Sequence, residues 1–249
     1  MKILSIANSF GQDAHRWLHQ LAKNAGEDFT CVNLYIGGCS LERHWNNMKN
    51  DAQEYSYELN GVSTGRMASI REALEEGGWD VVTLQQASHF SGQYETYQPY
   101  LDELAAYVRE MAPGAKLMIQ QTWAYELDST HPGFANYGGD QQRMYAALED
   151  AYAKGAAAIG ADIIPAGKLI QTLRALPEFD YKNGGQSLCR DGFHMHLLYG
   201  RYAVSCAWVK ALSGASVANC DFVPAEEGQP AADPTLLAVI RETAEKMFA

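Results

Sequence analysis

No stretch of this chain approaches the roughly 20 consecutive apolar residues that a bilayer-spanning helix needs, which excludes a membrane anchor of that kind. Its start is not expected to be a signal peptide's apolar core, since "ILSIA" after Met1-Lys2 is short and soon gives way to polar residues. Runs of Lys and Arg are missing as well, and the formal net charge is -11. Such a surface repels phosphate backbones and anionic bilayers, so nucleic acid and membranes are not expected as partners. The five cysteines, Cys31, Cys39, Cys189, Cys206 and Cys220, form no C-x-x-C pair, and an odd number does not close a disulfide framework. Reduced thiols and a cytoplasmic location are the expectation, although an exported protein relieved of its leader reads the same way. There is also no internal repeat and no low-complexity tract.

What is present is a chain of 249 residues with 47% hydrophobic content. That suffices for a large core, and an α/β chain of this length is expected to form one domain over residues 1–249. Apolar runs of strand length recur at residues 2–7, 29–36, 80–85, 116–122 and 161–165. Short continuous runs rich in Ile and Val fit strands buried on both faces of a parallel sheet. Helical periodicity occupies 14–25, 67–76, 97–111, 141–159, 197–212 and 234–248. Strands alternating with helices of ten or more residues predict right-handed βαβ units, hence a three-layer α/β/α sandwich with five mostly parallel strands. At "QEYSYELNGVSTG" the alternation of Tyr55, Tyr57 and Leu59 before Asn60-Gly61 predicts an inserted hairpin with a two-residue turn.

Ligands of open parallel sheets bind beyond the carboxyl ends of the strands. Ser9, Gly37-Gly38, Gln85-Gln86 and Trp123 each follow a predicted strand, so four loops aim at one place. Taken alone, Ser9 reads more simply as a helix N-cap, and "ANSFGQDA" carries neither G-x-G-x-x-G nor a Walker pattern. Far downstream, "CRDGFHMH" sets Asp191 and His194 three residues apart. A serine hydroxyl needs a base to take its proton, and the base needs a carboxylate to hold its tautomer. Asp191 and His194 can supply both parts, and they can also be a helix cap and a satisfied surface histidine.

"IANSF" with Ser9, "IGGCS" with Gly37-Gly38, "VVTLQQAS" and "DGFHMH" fall in the order of the four sequence blocks of the SGNH hydrolases, the GDSL-like lipases and acylhydrolases. The chain resembles that superfamily, and within it a bacterial branch carrying "NSF" and "LQQ" in place of "GDS" and "GxND". The resemblance implies a flavodoxin-like strand order, 2-1-3-4-5. It implies Ser9 as nucleophile, His194 as general base and acid, and Asp191 as the orienting carboxylate. The oxyanion donors it implies are the backbone N–H groups of Ser9 and Gly38 and a side-chain amide from the third block. There the pattern departs: Ala87 stands where the family has Asn, so Gln86, and after it Gln85, is the expected amide donor. No metal or organic cofactor is implied.

His194 and His196 in "HMH", with Asp191 or His131, form the competing metal-site reading, which leaves Ser9 and Gly38 without a task. His15 and His19 stand four apart, but Arg16 occupies the place of a zincin glutamate and no third ligand suggests itself. Cys39 is expected to be a buried packing residue. The aromatics Trp123, Tyr125 and Tyr137 lie in a long aperiodic segment and suit either a sugar-stacking lid or packing, a choice that also applies to His44 and Trp45. The expected activity is hydrolysis of a carboxylic ester, with a small acyl group such as acetyl on a carbohydrate leading. The alternatives are a non-catalytic or metal-dependent carbohydrate-binding protein and an acyltransferase sharing the acyl-enzyme.

Overall fold

Residues 2–7 alternate nothing: from Ile3 to Ala7 every side chain is buried, as a strand covered on both faces requires. The structure, a computed structural model, describes residues 1–249. Its strands are β1 (Lys2–Ala7), β2 (Thr30–Tyr35), β3 (Tyr55–Leu59), β4 (Val62–Ala68), β5 (Val81–Leu84), β6 (Lys116–Gln120) and β7 (Asp162–Ile164). Its helices are α1 (Ser9–His15), α2 (Leu18–Asn24), α3 (Leu41–Lys49), α4 (Ile70–Glu75), α5 (Tyr100–Met111), α6 (Gln141–Ile159), α7 (Ala166–Arg174), α8 (Tyr199–Ser213) and α9 (Pro234–Met247).

The sheet has seven strands in the order β4-β3-β2-β1-β5-β6-β7, not five. The five parallel strands, β2-β1-β5-β6-β7, keep the expected order. The additional two are the hairpin at residues 55–68, which pairs antiparallel to β2 and lengthens the sheet at that edge. Asn60 and Gly61 both take positive φ, 51° and 78°, the requirement of a tight hairpin turn whose twist matches its strands. The expected helix from residue 67 is therefore corrected: Met67 and Ala68 belong to β4, and α4 begins only after Ser69, which closes a capping box with Glu72.

Helices α1, α2, α7, α8 and α9 pack on one another, as do α3, α4 and α5 with α6 following them. Both layers follow from right-handed crossovers on an open parallel sheet. The helix expected from residue 14 instead begins at Ser9 and breaks at Arg16-Trp17 into α1 and α2. A cluster of 69 buried residues fills the space between sheet and helices. No helix is long and apolar enough to cross a membrane.

Candidate active site

After β1 the chain turns at Asn8, whose backbone is extended and whose side chain accepts a hydrogen bond from the Phe10 N–H at 3.0 Å. Asn8 thus performs the capping task, and Ser9 becomes the first residue of α1. That placement leaves its hydroxyl unspent on the helix. Asn8 also gathers loops from two further strands: its Nδ2 donates to the Cys39 carbonyl at 2.9 Å, and its Oδ1 accepts from Gln85 Nε2 at 2.7 Å.

Ser9 Oγ lies 2.9 Å from His194 Nε2, although 185 residues separate the two in sequence. On the other side of the ring, His194 Nδ1 is 2.7 Å from Asp191 Oδ2. A carboxylate only accepts, so Nδ1 carries the ring proton and Nε2 is left to accept from the serine hydroxyl. Asp191 Oδ1 is held in turn by the backbone N–H groups of His194 (2.8 Å) and Phe193 (3.2 Å). Burial opposes ionisation of Asp191, yet the His194 ring, the two backbone donors and the histidine's charge outweigh it, and its pKa falls below the ordinary carboxylate value. The three residues that the sequence singled out are therefore brought together in one chain of hydrogen bonds.

Gly38 has φ +63° and an exposed backbone, and nothing lies within 4 Å of where a Cβ would sit. Its N–H has no partner within the protein. As the first helical residue, Ser9 likewise lacks an intrahelical acceptor for its N–H. The glutamines behave otherwise. Gln86 is buried, its amide donates to Thr96 O (3.0 Å) and Thr96 Oγ1 (3.1 Å), and its carbonyl accepts from the N–H groups of Leu41 and Ala87. Gln85 is buried with its amide on Asn8. Both amides that the sequence offered as oxyanion donors are committed to fixing loops.

A cavity of about 420 Å³ opens at Ser9 and His194. The end of β2 contributes Tyr35 and the loop after it Gly37 and Gly38, and the segment after β5 contributes Ser88 and His89. The long segment after β6 adds His131, Pro132 and Gly133, and Phe193 completes the lining. Ser88 Oγ is 2.8 Å from the hydroxyl of buried Tyr125. His131 Nδ1 accepts from the Gly133 N–H at 3.0 Å, so a neutral His131 carries its proton on Nε2. Burial, and then the neighbouring His194, lower the His131 pKa; burial and His131 lower that of His89. Sequence reasoning missed Ser88 and His89 because each stands in a loop with no spacing signal of its own.

The aromatics of the long segment are structural. Trp123 is fully buried, stacks on Phe10 with centroids 4.2 Å apart, and donates from Nε1 to the Phe193 carbonyl at 2.8 Å. Tyr125 and Tyr137 are buried too. His44 is buried against Tyr55 and Cys39, and Trp45 donates to Glu103. Burial pushes the Cys39 thiol up to about 12, so it is no nucleophile at neutral pH. No group of three His, Cys, Asp or Glu is arranged to hold a metal ion. Both ring nitrogens of His194 are engaged in the contacts above, and His196 Nδ1 accepts from the backbone of Leu198 and Tyr199.

The class these features define is an α/β protein: a mostly parallel sheet flanked by helices, with serine, histidine and aspartate meeting in one hydrogen-bonded series beyond its strand ends. Residues 2–238 match the family model described as "Domain of unknown function (DUF4886)", and the chain belongs to that family. A crystal structure of a DUF4886 family protein from Bacteroides uniformis ATCC 8492 is 38% identical, covers 99% of this chain and 93% of its own, and superposes with a TM-score of 0.89. An acetyl xylan esterase shares the fold at 13% identity and a TM-score of 0.59, over 85% of this chain and 100% of its own. The lipase/acylhydrolase from Enterococcus faecalis does so at 13% identity and 0.55, over 86% and 95%. No curated protein sequence matches the chain.

Proposed function

We propose that this protein is a serine esterase of the SGNH type that cleaves small acyl groups, acetyl foremost, from a polar alcohol such as a carbohydrate. The single observation that carries the reading is the hydrogen-bonded series Ser9 Oγ, His194 Nε2, His194 Nδ1, Asp191 Oδ2 at 2.9 and 2.7 Å, inside a cavity at the strand ends. In this reading the Ser9 proton passes to His194 Nε2 as Oγ bonds to the acyl carbon, and the carbonyl π electrons move to its oxygen. Collapse of the tetrahedral species breaks the bond to the alcohol oxygen, which leaves with the proton from His194. Water then repeats the sequence on the acyl-enzyme and restores Ser9.

The oxyanion would rest on the Ser9 and Gly38 N–H groups. Because Gln85 and Gln86 spend their amides elsewhere, we assign the third donor to Ser88, a residue of the cavity lining whose hydroxyl lies 2.8 Å from that of Tyr125. In that role the serine would accept from the Tyr125 hydroxyl and donate its own proton to the oxyanion, doing with O–H what the SGNH pattern does with an amide. The substrate class is supported by the lining. Apart from Tyr35, Pro132 and Phe193 the cavity is bordered by serines, histidines and glycines, which suits a small acyl group and a hydroxylated leaving group better than a long alkyl chain. The fold's likeness to an acetyl xylan esterase points the same way.

The test is steady-state hydrolysis of p-nitrophenyl acetate, longer p-nitrophenyl esters and acetylated sugars, by the native protein and by Ser9→Ala. Saturable turnover of the acetyl substrates that falls at least ~10⁴-fold in Ser9→Ala is expected. Undiminished turnover in that variant, or none in the native protein, removes the proposal.

A further inference from the structure

Asp13 sits one helical turn beyond Ser9 in α1, on the same face, and its side chain is entirely buried. An isolated buried carboxylate is costly enough that it persists only where its oxygens are fully paired. Here they are. Oδ1 accepts from Arg190 Nη1 at 2.9 Å and from Arg201 Nε of α8 at 2.8 Å. Oδ2 accepts from the backbone N–H of Met195 at 2.8 Å. Met195 directly follows His194, so the carboxylate reaches the histidine loop one residue beyond the catalytic ring.

That loop is a closed unit. The Arg190 N–H donates to the His194 carbonyl at 2.9 Å, and Cys189 and Met195 form an antiparallel bridge. Asp191 and His194 project from its tip, and Arg190 Nη1 donates again to the Met195 carbonyl at 2.5 Å. Met195 is thus gripped on both sides of its backbone, its N–H by Asp13 and its C=O by the arginine that Asp13 holds. Of the further anchors, the Glu126 N–H on the Gly192 carbonyl comes from the segment after β6, Trp123 on the Phe193 carbonyl meets α1 by stacking on Phe10, and the Trp17 indole just past α1 donates to the Leu197 carbonyl. Only Asp13 ties the loop to the helix that carries Ser9 with charge-assisted bonds.

We infer that Asp13 is a positioning residue: with Arg190 it sets the height of the Asp191–His194 loop over α1, and thereby the contact of His194 Nε2 with the Ser9 hydroxyl. The inference rests on the esterase reading for its kinetic consequence and on geometry alone for its structural one. In Asp13→Asn the volume is kept, but three donors still converge on the side chain and its amide nitrogen opposes one of them. A displacement of the imidazole on the order of 1 Å costs ~10²-fold in rate without touching the substrate.

The experiment uses the full-length protein as Asp13→Asn, Arg190→Gln and Arg190→Lys beside the native chain. It reads kcat and KM on p-nitrophenyl acetate, folding by circular dichroism, and the NMR signal of the His194 Nδ1 proton shared with Asp191. For Asp13→Asn the expected result is a native spectrum, kcat lower by ~10²-fold, KM within about threefold, and a shifted or broadened Nδ1 proton. Arg190→Gln, altered at a partly exposed side chain, follows in the same direction, and Arg190→Lys recovers most of the rate. A folded Asp13→Asn with kcat within about threefold of native and an unmoved Nδ1 proton overturns the inference. Should Asp13→Asn fail to fold, Arg190→Gln decides by the same two readouts. If the native protein hydrolyses no ester, the functional reading falls, while the imidazole signal still rules on the clamp.

Discussion

Ser9 and its capping neighbour show how much one residue's position decides. Had Ser9 been the cap, its hydroxyl would have been occupied by a backbone N–H; with Asn8 in that place it faces an imidazole instead. Ser88 is the residue at which the account is most exposed. Replacing it by Ala is expected to lower kcat on acetyl esters by ~10²–10³-fold with little change in folding, the usual consequence of losing one oxyanion donor. Tyr125→Phe, which removes the partner behind Ser88, is expected to cost less. Equal activity in Ser88→Ala would return the third donor to the glutamines. Buried histidines set the acid response of stability. Burial lowers His15 and His44 from 6.5 to about 3, so between those values the unfolded chain binds protons that the folded chain does not. Stability therefore falls as pH drops through 6.5 and onward, and Glu58, raised by burial, acts against this trend. Urea midpoints at pH 7.5 and 5.0 are expected to differ, the lower value at pH 5.0, and His15→Gln is expected to narrow the gap. Identical midpoints in the native protein would contradict it.

At the scale of elements, the hairpin β3–β4 does more than extend an edge. A Cβ on Gly61 would lie 2.7 Å from the backbone of His15 and Arg16, where α1 breaks into α2. The turn is thus seated on the junction of the helix that bears Ser9. Gly61→Ala combines that clash with a positive φ and is expected to destabilise by about 1–3 kcal/mol, visible as a lowered thermal midpoint. An unchanged midpoint would show the contact to be loose. The hairpin was legible from Tyr55, Tyr57 and the Asn60-Gly61 pair, but the end of its far strand was not. Residues 62–67 are all exposed and offer no hydrophobic alternation, so periodicity could not separate β4 from a helix. For α1 the obstacle was different: the helix starts on polar residues whose partners lie nearly two hundred positions away.

The whole molecule brings together what the sequence displays as four separate blocks. The central parallel strands were legible because they are buried on both faces and read as continuous apolar runs, while their order came from the resemblance. Ser9, Gly38, Asp191 and His194 were singled out through their resemblance to a known pattern, and the fold brings Ser9, His194 and Asp191 into hydrogen-bonding contact. The roles of Gln85 and Gln86 were not, since nothing local tells an amide that faces a cavity from one that pins two loops. Nor was Asp13, an ordinary acidic residue until the fold surrounds it with two arginines and the loop it holds. The most direct measurement of the central claim is reaction with a fluorophosphonate probe followed by peptide mass spectrometry, with His194→Ala as control. A single adduct on Ser9, slowed strongly in His194→Ala, is the outcome this account requires. An intact, folded protein that takes no label at Ser9, or takes it as fast without His194, would contradict it.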